Sequence, residues 1–210
     1  MLSRESFDNA ARQIQKNNWN AIAHRWNDGR ERNGLSSDRL PLIAHHLKSP
    51  ILLIGAGQGQ VLEKLQENYG DTTGLDWSRE MLARARQRKA ANLIEGDAGQ
   101  LPFADESFHT AVISTGVLLP SHDEARSCAY IQEAFRVVRS GGTMIACIFY
   151  KKDSDEARRK ADIIRMPADT IHCFLFWELS TISAILEKDD RRIIDTVIEK
   201  DVALIVVRKT

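Results

Sequence analysis

Gly55, Gly57 and Gly59 stand at alternate positions directly after the apolar run Ile51 to Ile54. Glycine tolerates positive φ, makes a tight turn and lets the backbone approach a ligand closely. A helix opening just beyond would add free N–H groups and a positive dipole for an anionic group. Asp76 closes the next apolar run, at a distance along the chain where a carboxylate can accept both hydroxyls of an adenosine ribose. Asp97 follows a third run, within Glu95-Gly96-Asp97-Ala98. It can accept a hydrogen bond from an adenine amino group while the next backbone N–H meets a ring nitrogen. Gly-Asp is by itself an ordinary turn pair. Its weight comes from the two other strand ends that already point to adenosine.

The spacing of apolar residues supplies the elements that would position these groups. Ile51 to Ile54 is continuous, as in a strand buried on both faces of a parallel sheet. Val61, Leu62 and Leu65 continue at helical spacing. Thr72 to Leu75 is a second strand, and Ser78 caps a helix to Arg88 with Met81, Leu82 and Ala85 inward. Asn92 to Ile94, Thr110 to Ser114 and Thr143 to Tyr150 are further strands, with a helix over about 123–138 between the last two. Alternation of this kind predicts βαβ units, a parallel sheet and helices on both faces. Arg192 to Ile198 and Val202 to Val207 are separated only by Glu199, Lys200 and Asp201. So short a connection cannot cross over, which makes this pair an antiparallel hairpin. The expected fold class is therefore α/β: a Rossmann-like, doubly wound, mostly parallel sheet of seven strands with a C-terminal antiparallel hairpin.

Residues 1–48 read as an N-terminal helical segment that caps the cofactor site. Trp19, Ile22, Ala23 and Trp26 fall at helical spacing, and Leu40, Ile43, Ala44 and Leu47 form a second stripe. Residues 49–210 form the main domain, with a helical lid insert over about 151–188, interrupted near Met166-Pro167.

Of 210 residues, Lys+Arg and Asp+Glu each number 29, so the net charge is zero. A grip on a nucleic-acid backbone usually needs a basic excess, so no nucleic-acid partner is expected. Arg84, Arg86, Arg88 and Lys89 read as a solvated helix C-terminus whose cations complement the dipole. Arg158, Arg159 and Lys160 read the same way. Cys128, Cys147 and Cys173 match no zinc or CxxC spacing. The N-terminus lacks the apolar run of a signal peptide, and no stretch is apolar enough to span a membrane. A cytoplasmic chain with reduced thiols is expected, with a homodimer admitted.

The succession ILLIGAGQGQ, TTGLDWSREML, LIEGDAGQLPFADESFHTAV and EAFRVVRSGGTMIACIF resembles the class I S-adenosylmethionine-dependent methyltransferases. The likeness spans roughly Ser49 to Tyr150 and keeps the order of every motif, and the terminal hairpin is similar too. The resemblance implies that Gly55, Ala56, Gly57 and Gly59 form the loop under the methionine part of the cofactor. It implies that Asp76 holds the ribose, with Trp77 and Met81 beside the adenosine, and that Asp97 and Ala98 read the adenine. Ser114 and Thr115 would sit near the sulfonium and its methyl. The chain departs from the family pattern at Leu53, where an acid that orients the cofactor's amino group often stands. Phe108-His109 and Ser140-Gly141-Gly142 replace the usual Phe-Asp and Pro-Gly-Gly.

Methyl transfer from a sulfonium is an in-line displacement, so alignment can do much of the work without a strong base. No Asn/Asp-Pro-Pro-Tyr motif follows the fourth strand, which favours a small-molecule acceptor over a nucleic-acid base or protein amide. Trp26, Leu118, Phe174 and Trp177 are candidate acceptor walls. His24, His122 and His172 are candidate bases, while His45 and His46 fall away from the motif edge. No cluster in the sequence has metal-ligand spacing, and no metal is expected. A nicotinamide-dependent oxidoreductase would need glycine where Gln60 stands. A binding protein that keeps the pocket without catalysis is a third reading.

Overall fold

The computed structural model describes residues 4–25, 35–118, 124–149, 162–165, 171–174, 179–199 and 202–210. A long helix α1 covers Arg4–Ile22, and a one-turn helix α2 covers Leu40–Ile43. Then β1 (Ile51–Ile54), α3 (Gln60–Tyr69), β2 (Thr72–Asp76), α4 (Arg79–Gln87) and β3 (Leu93–Glu95) alternate. β4 (Phe108–Ile113), α5 (Glu124–Val137) and β5 (Val138–Phe149) follow. Two short strands, β6 (Asp162–Arg165) and β7 (Ile171–Phe174), precede α6 (Leu179–Leu186), β8 (Arg191–Glu199) and β9 (Val202–Lys209).

The main sheet has seven strands in the order β3-β2-β1-β4-β5-β9-β8. β1 pairs in parallel with β2 and β4, and β4 with β5. β9 runs antiparallel to both β5 and β8. The expected α/β class and its closing hairpin are both present.

β1 is apolar throughout because both of its faces are covered. Leu52 and Ile54 enter one core layer with Ile131, Ala134 and Phe135 of α5. Ile51 and Leu53 enter the other with Leu62 and Leu65 of α3 and Leu40 and Ile43 of α2. Central strands of parallel sheets read as continuous apolar runs for this reason. α4 begins where expected: the Ser78 hydroxyl accepts from the Met81 N–H at 3.2 Å. That satisfies one of the free donors of the first turn.

The insert differs from the helical expectation. β6 and β7 pair antiparallel, Asp162 opposite Phe174 through Arg165 opposite Ile171. Ile163, Ile164 and Ile171 are β-branched and favour a pleated strand, and Pro167 between the strands would break a helix. Only α6 matches the helix expected there. Residues 151–161, 166–170 and 175–178 lie outside the described residues. β5 also starts earlier than expected, at Val138, which pairs with Phe108 ahead of a register shift between Phe108 and Thr110.

Candidate active site

The sheet reverses its winding between β1 and β4, and the carboxyl ends of parallel strands leave a crevice at such a point. The segments leaving β1, β2, β3 and β4 all border one cleft of about 1200 Å³, its open mouth included.

The three glycines do different work in its floor. The N–H groups of Gly55 and Ala56 both donate to the Leu75 carbonyl, at 2.8 and 2.9 Å, which fastens the turn to β2. A Cβ on Gly55 would lie 2.5 Å from Val117 Cγ2, so the close approach of the β4 loop requires glycine there. Gly57, at φ +54, borders the cleft with nothing within 4 Å of a Cβ position. Gly59 does not line the cleft, contrary to expectation. It caps α3 at φ +85, and a Cβ there would stand 2.9 Å from the Ala85 Cβ, so its role is to let α3 approach α4.

Asp76 binds both strand ends together. Its Oδ2 accepts from the Gly57 N–H at 2.8 Å and its Oδ1 from the Ser78 N–H at 2.9 Å. Burial pushes its pKa above the ordinary aspartate value, and the backbone donors at Ser78, Gly57 and Trp77 oppose that rise. A carboxylate has about four acceptor positions, so with these three backbone donors at least one remains for a ligand hydroxyl.

Asp97 is arranged differently. Its Oδ1 accepts from the Gly99 N–H at 2.8 Å, a local turn, and its Oδ2 stands 3.4 Å from Arg12 Nη1 on α1. Lys16 on α1 also reaches Glu95, at 2.9 Å, and Arg79 reaches it at 3.2 Å. Lys16 first, then Arg79, hold the Glu95 carboxyl below its ordinary range. Trp77, Met81, Ala98, Ser114 and Thr115 line the same cleft. Met81 packs with Trp19, Ile22 and Ala23, so the end of α1 lies against the side of the cleft that Met81 lines.

The candidate acceptor and base residues fare less well. Leu118 is 0% exposed and packs in the core layer of α5 rather than lining the cleft, because the turn after β4 directs it back under the sheet. His24 is exposed on a short turn after α1 and does not border the cleft. Trp26, His122 and Trp177 lie outside the described residues, as do the side chains of His172 and Phe174 on β7. Leu53 is also 0% exposed, packed with Ile51, Ala56 and Leu62, so its place in this chain is the core and not the cleft.

Trp19, Gln58 and Tyr130 line the cleft without having been expected to. Gln58 is buried and its amide donates to the Ala23 carbonyl, joining the glycine turn to the end of α1. Tyr130 reaches the cleft from α5, with its ring 3.2 Å from a Cβ position at Gly99. No local motif marks such a residue, since only tertiary packing brings α5 there.

A glycine turn, a buried carboxylate on the next strand and a second carboxylate beyond the third define an adenosine-cofactor-binding α/β domain. Residues 51–142 match the family model described as a methyltransferase domain. The ubiquinone/menaquinone biosynthesis C-methyltransferase UbiE of Roseobacter denitrificans is 30% identical over 130 residues, 58% of this chain and 50% of that protein. The demethylmenaquinone methyltransferase of Corynebacterium kroppenstedtii is 34% identical over 96 residues, 46% of this chain and 40% of that protein. The chain thus spans half or less of these relatives' length. Among solved structures, the glycopeptide N-methyltransferase MtfA complexed with S-adenosyl-L-methionine superposes with TM-score 0.65 at 20% identity, covering 83% of this chain and 93% of that one. The PH0226 protein of Pyrococcus horikoshii does so with TM-score 0.65 at 18% identity, covering 88% and 93%. Through residues 51–142 the chain is thus similar to the methyltransferase domain of S-adenosylmethionine-dependent enzymes.

Proposed function

We propose that this protein binds S-adenosylmethionine across the carboxyl edge of the sheet and transfers its methyl group to a small-molecule acceptor. The observation that carries the reading is the convergence of Gly57, Asp76, Asp97 and Ser114 on one cleft from four successive strand ends. In it Asp76 takes the ribose hydroxyls, Asp97 the adenine amino group, and Ser114 and Thr115 flank the sulfonium. The N-terminal segment acts as the cap, through Trp19 of α1 and Ser36 and Ser37 beyond it.

The acceptor end of the cleft lies where Gly116 faces Trp19, whose ring comes within 3.6 Å of a Cβ position there. Trp19, Val117 and Tyr130 suit a planar, largely apolar molecule. Relatives named as quinone-biosynthesis C-methyltransferases support that class. Among the described residues no histidine lines the cleft, and alignment of nucleophile, methyl and sulfur can carry much of the chemistry. Trp26, Phe174 and Trp177 stay candidates for the acceptor wall, and His122 and His172 for a base.

Calorimetric titration with S-adenosylmethionine, S-adenosylhomocysteine and NADH tests the reading. The sulfur compounds should bind in the micromolar range and NADH should not. Transfer of labelled methyl to quinol-like acceptors then separates an enzyme from a binding protein. Binding of NADH alone would overturn the proposal in favour of an oxidoreductase, against which Gln60 and the antiparallel β9 already stand.

A further inference from the structure

β8 carries one residue more than its partner strand. Ile193 pairs with Val207, but Asp195 pairs with Val206, which leaves Ile194 without a position opposite it in β9. Such a bulge re-aims the side chains beyond it. Before the bulge, Ile193 packs into the core layer that holds Val207. After it, Val197 packs into the opposite layer, with Leu204 and Val206. Alternating positions in a regular strand keep to one face, so the extra residue has moved the odd-numbered positions from one face to the other. Asp195 is the first residue to emerge on the new face, which is the face covered by Leu40, Ile43 and Leu47.

There it meets two histidines. Asp195 Oδ2 lies 2.8 Å from His46 Nε2 and 3.7 Å from His45 Nε2. The ligand-capable atoms of all three residues lie within 4.8 Å of one another. The two imidazole rings stand 3.8 Å apart between centroids, tilted by 44°. His46 is held firmly from behind. Its carbonyl accepts from the buried Thr143 hydroxyl at 3.1 Å. The buried Thr110 hydroxyl, 3.4 Å from that of Thr143, takes the Lys48 N–H at 3.1 Å and donates to the Lys48 carbonyl at 3.0 Å. Two adjacent strands thus fix the backbone that presents the imidazoles. The neighbouring cation, Arg39, is engaged by Glu199 at 2.7 Å.

We propose that His45, His46 and Asp195 bind a divalent transition-metal ion of the Zn²⁺ class, which ties the segment after α2 to the edge strand of the C-terminal hairpin. Two imidazoles and a carboxylate suit Zn²⁺ or Co²⁺ and not Mg²⁺ or Ca²⁺, which take oxygen ligands. Ligands about 2.0 Å from a tetrahedral centre lie about 3.3 Å from one another. The two separations to Asp195 bracket that value and the remaining one is within 4.8 Å, so side-chain rotations complete the site. A fourth position stays open for water. None of the three residues lines the cleft, so the site is independent of the cofactor reading.

The test uses the whole chain stripped with a chelator, then titrated with Zn²⁺ by calorimetry and with Co²⁺ by visible absorption, alongside thermal melts. A single ion should bind, raise Tm and give the intense bands of four-coordinate Co²⁺. His45→Gln, at a largely exposed position that the fold tolerates, and Asp195→Asn should each weaken Zn²⁺ binding by at least about tenfold, a loss that even an outer-sphere partner causes. Absence of saturable binding, or binding unchanged in both variants, would overturn the proposal. So would an Asp195→Asn Tm loss that is the same with and without Zn²⁺, which would leave a plain histidine–carboxylate ion pair.

Discussion

Asp76 Oδ2 and the Gly57 amide nitrogen stand 2.8 Å apart, so the residue that ends β2 also holds the turn that follows β1. Because the same carboxylate accepts from the Ser78 N–H, the glycine turn, β2 and the start of α4 form one hydrogen-bonded unit. A ribose bound to Asp76 would therefore sit on a floor already in place, which reduces the ordering cost of binding.

Asp76→Ala should weaken S-adenosylmethionine binding about tenfold or more. At least one hydrogen bond to a charged acceptor is lost, worth about 1.5–3 kcal/mol. Calorimetry on a variant that still melts cooperatively checks this. Unchanged affinity would remove Asp76 from the cofactor site.

The buried charge also predicts how stability follows pH. The folded pKa of Asp76 is raised, chiefly by burial. The stability carried by this group is then present below the unfolded aspartate value and lost as pH rises through the shifted one. Asp76→Asn has no such titration. In urea melts from acid to neutral pH, the wild type should lose ground to Asp76→Asn as pH rises. The opposite trend would mean that the Gly57 and Ser78 hydrogen bonds outweigh desolvation.

Gly57 and Gly59 share positive φ but should respond differently to alanine. Gly59→Ala brings a Cβ within 2.9 Å of the Ala85 Cβ, which is fixed to the α4 backbone. Left-handed strain and overpacking together should cost about 2–4 kcal/mol in a chemical denaturation. Gly57→Ala meets no atom within 4 Å and should cost only about 1 kcal/mol, the backbone penalty, while impairing the cofactor. Equal losses of stability would show that α3 and α4 part readily.

Local chemistry explains what could be read from the chain alone. The turn at Gly55 and Gly57, the cap at Ser78 and the closing hairpin are each set by neighbours a few residues away, and each stands where expected. Tyr130 and the meeting of His46 with Asp195 depend on contacts across the fold, the latter 149 residues apart. A single inserted residue at Ile194 decides which face Asp195 takes, and no periodicity reveals it. Ile163 and Ile164 in β6 belong to a short apolar run that fits helix or strand equally, so periodicity does not reveal the strand.

Leu53 gives the sharpest contrast between family pattern and this chain. It stands where an acid is common, yet it is fully buried against Ile51, Ala56 and Leu62. If that packing governs the position, restoring the acid should harm the protein. Leu53→Asp places a carboxylate in an apolar layer without a partner, where it must either pay desolvation or stay protonated. The expected loss is about 3 kcal/mol or more. Leu53→Ala should cost about 2–5 kcal/mol through the cavity alone. Neither variant should bind S-adenosylmethionine more tightly. Denaturation curves paired with calorimetry check both points. A Leu53→Asp protein of wild-type stability with improved affinity would show that the side chain at this position turns into the cleft.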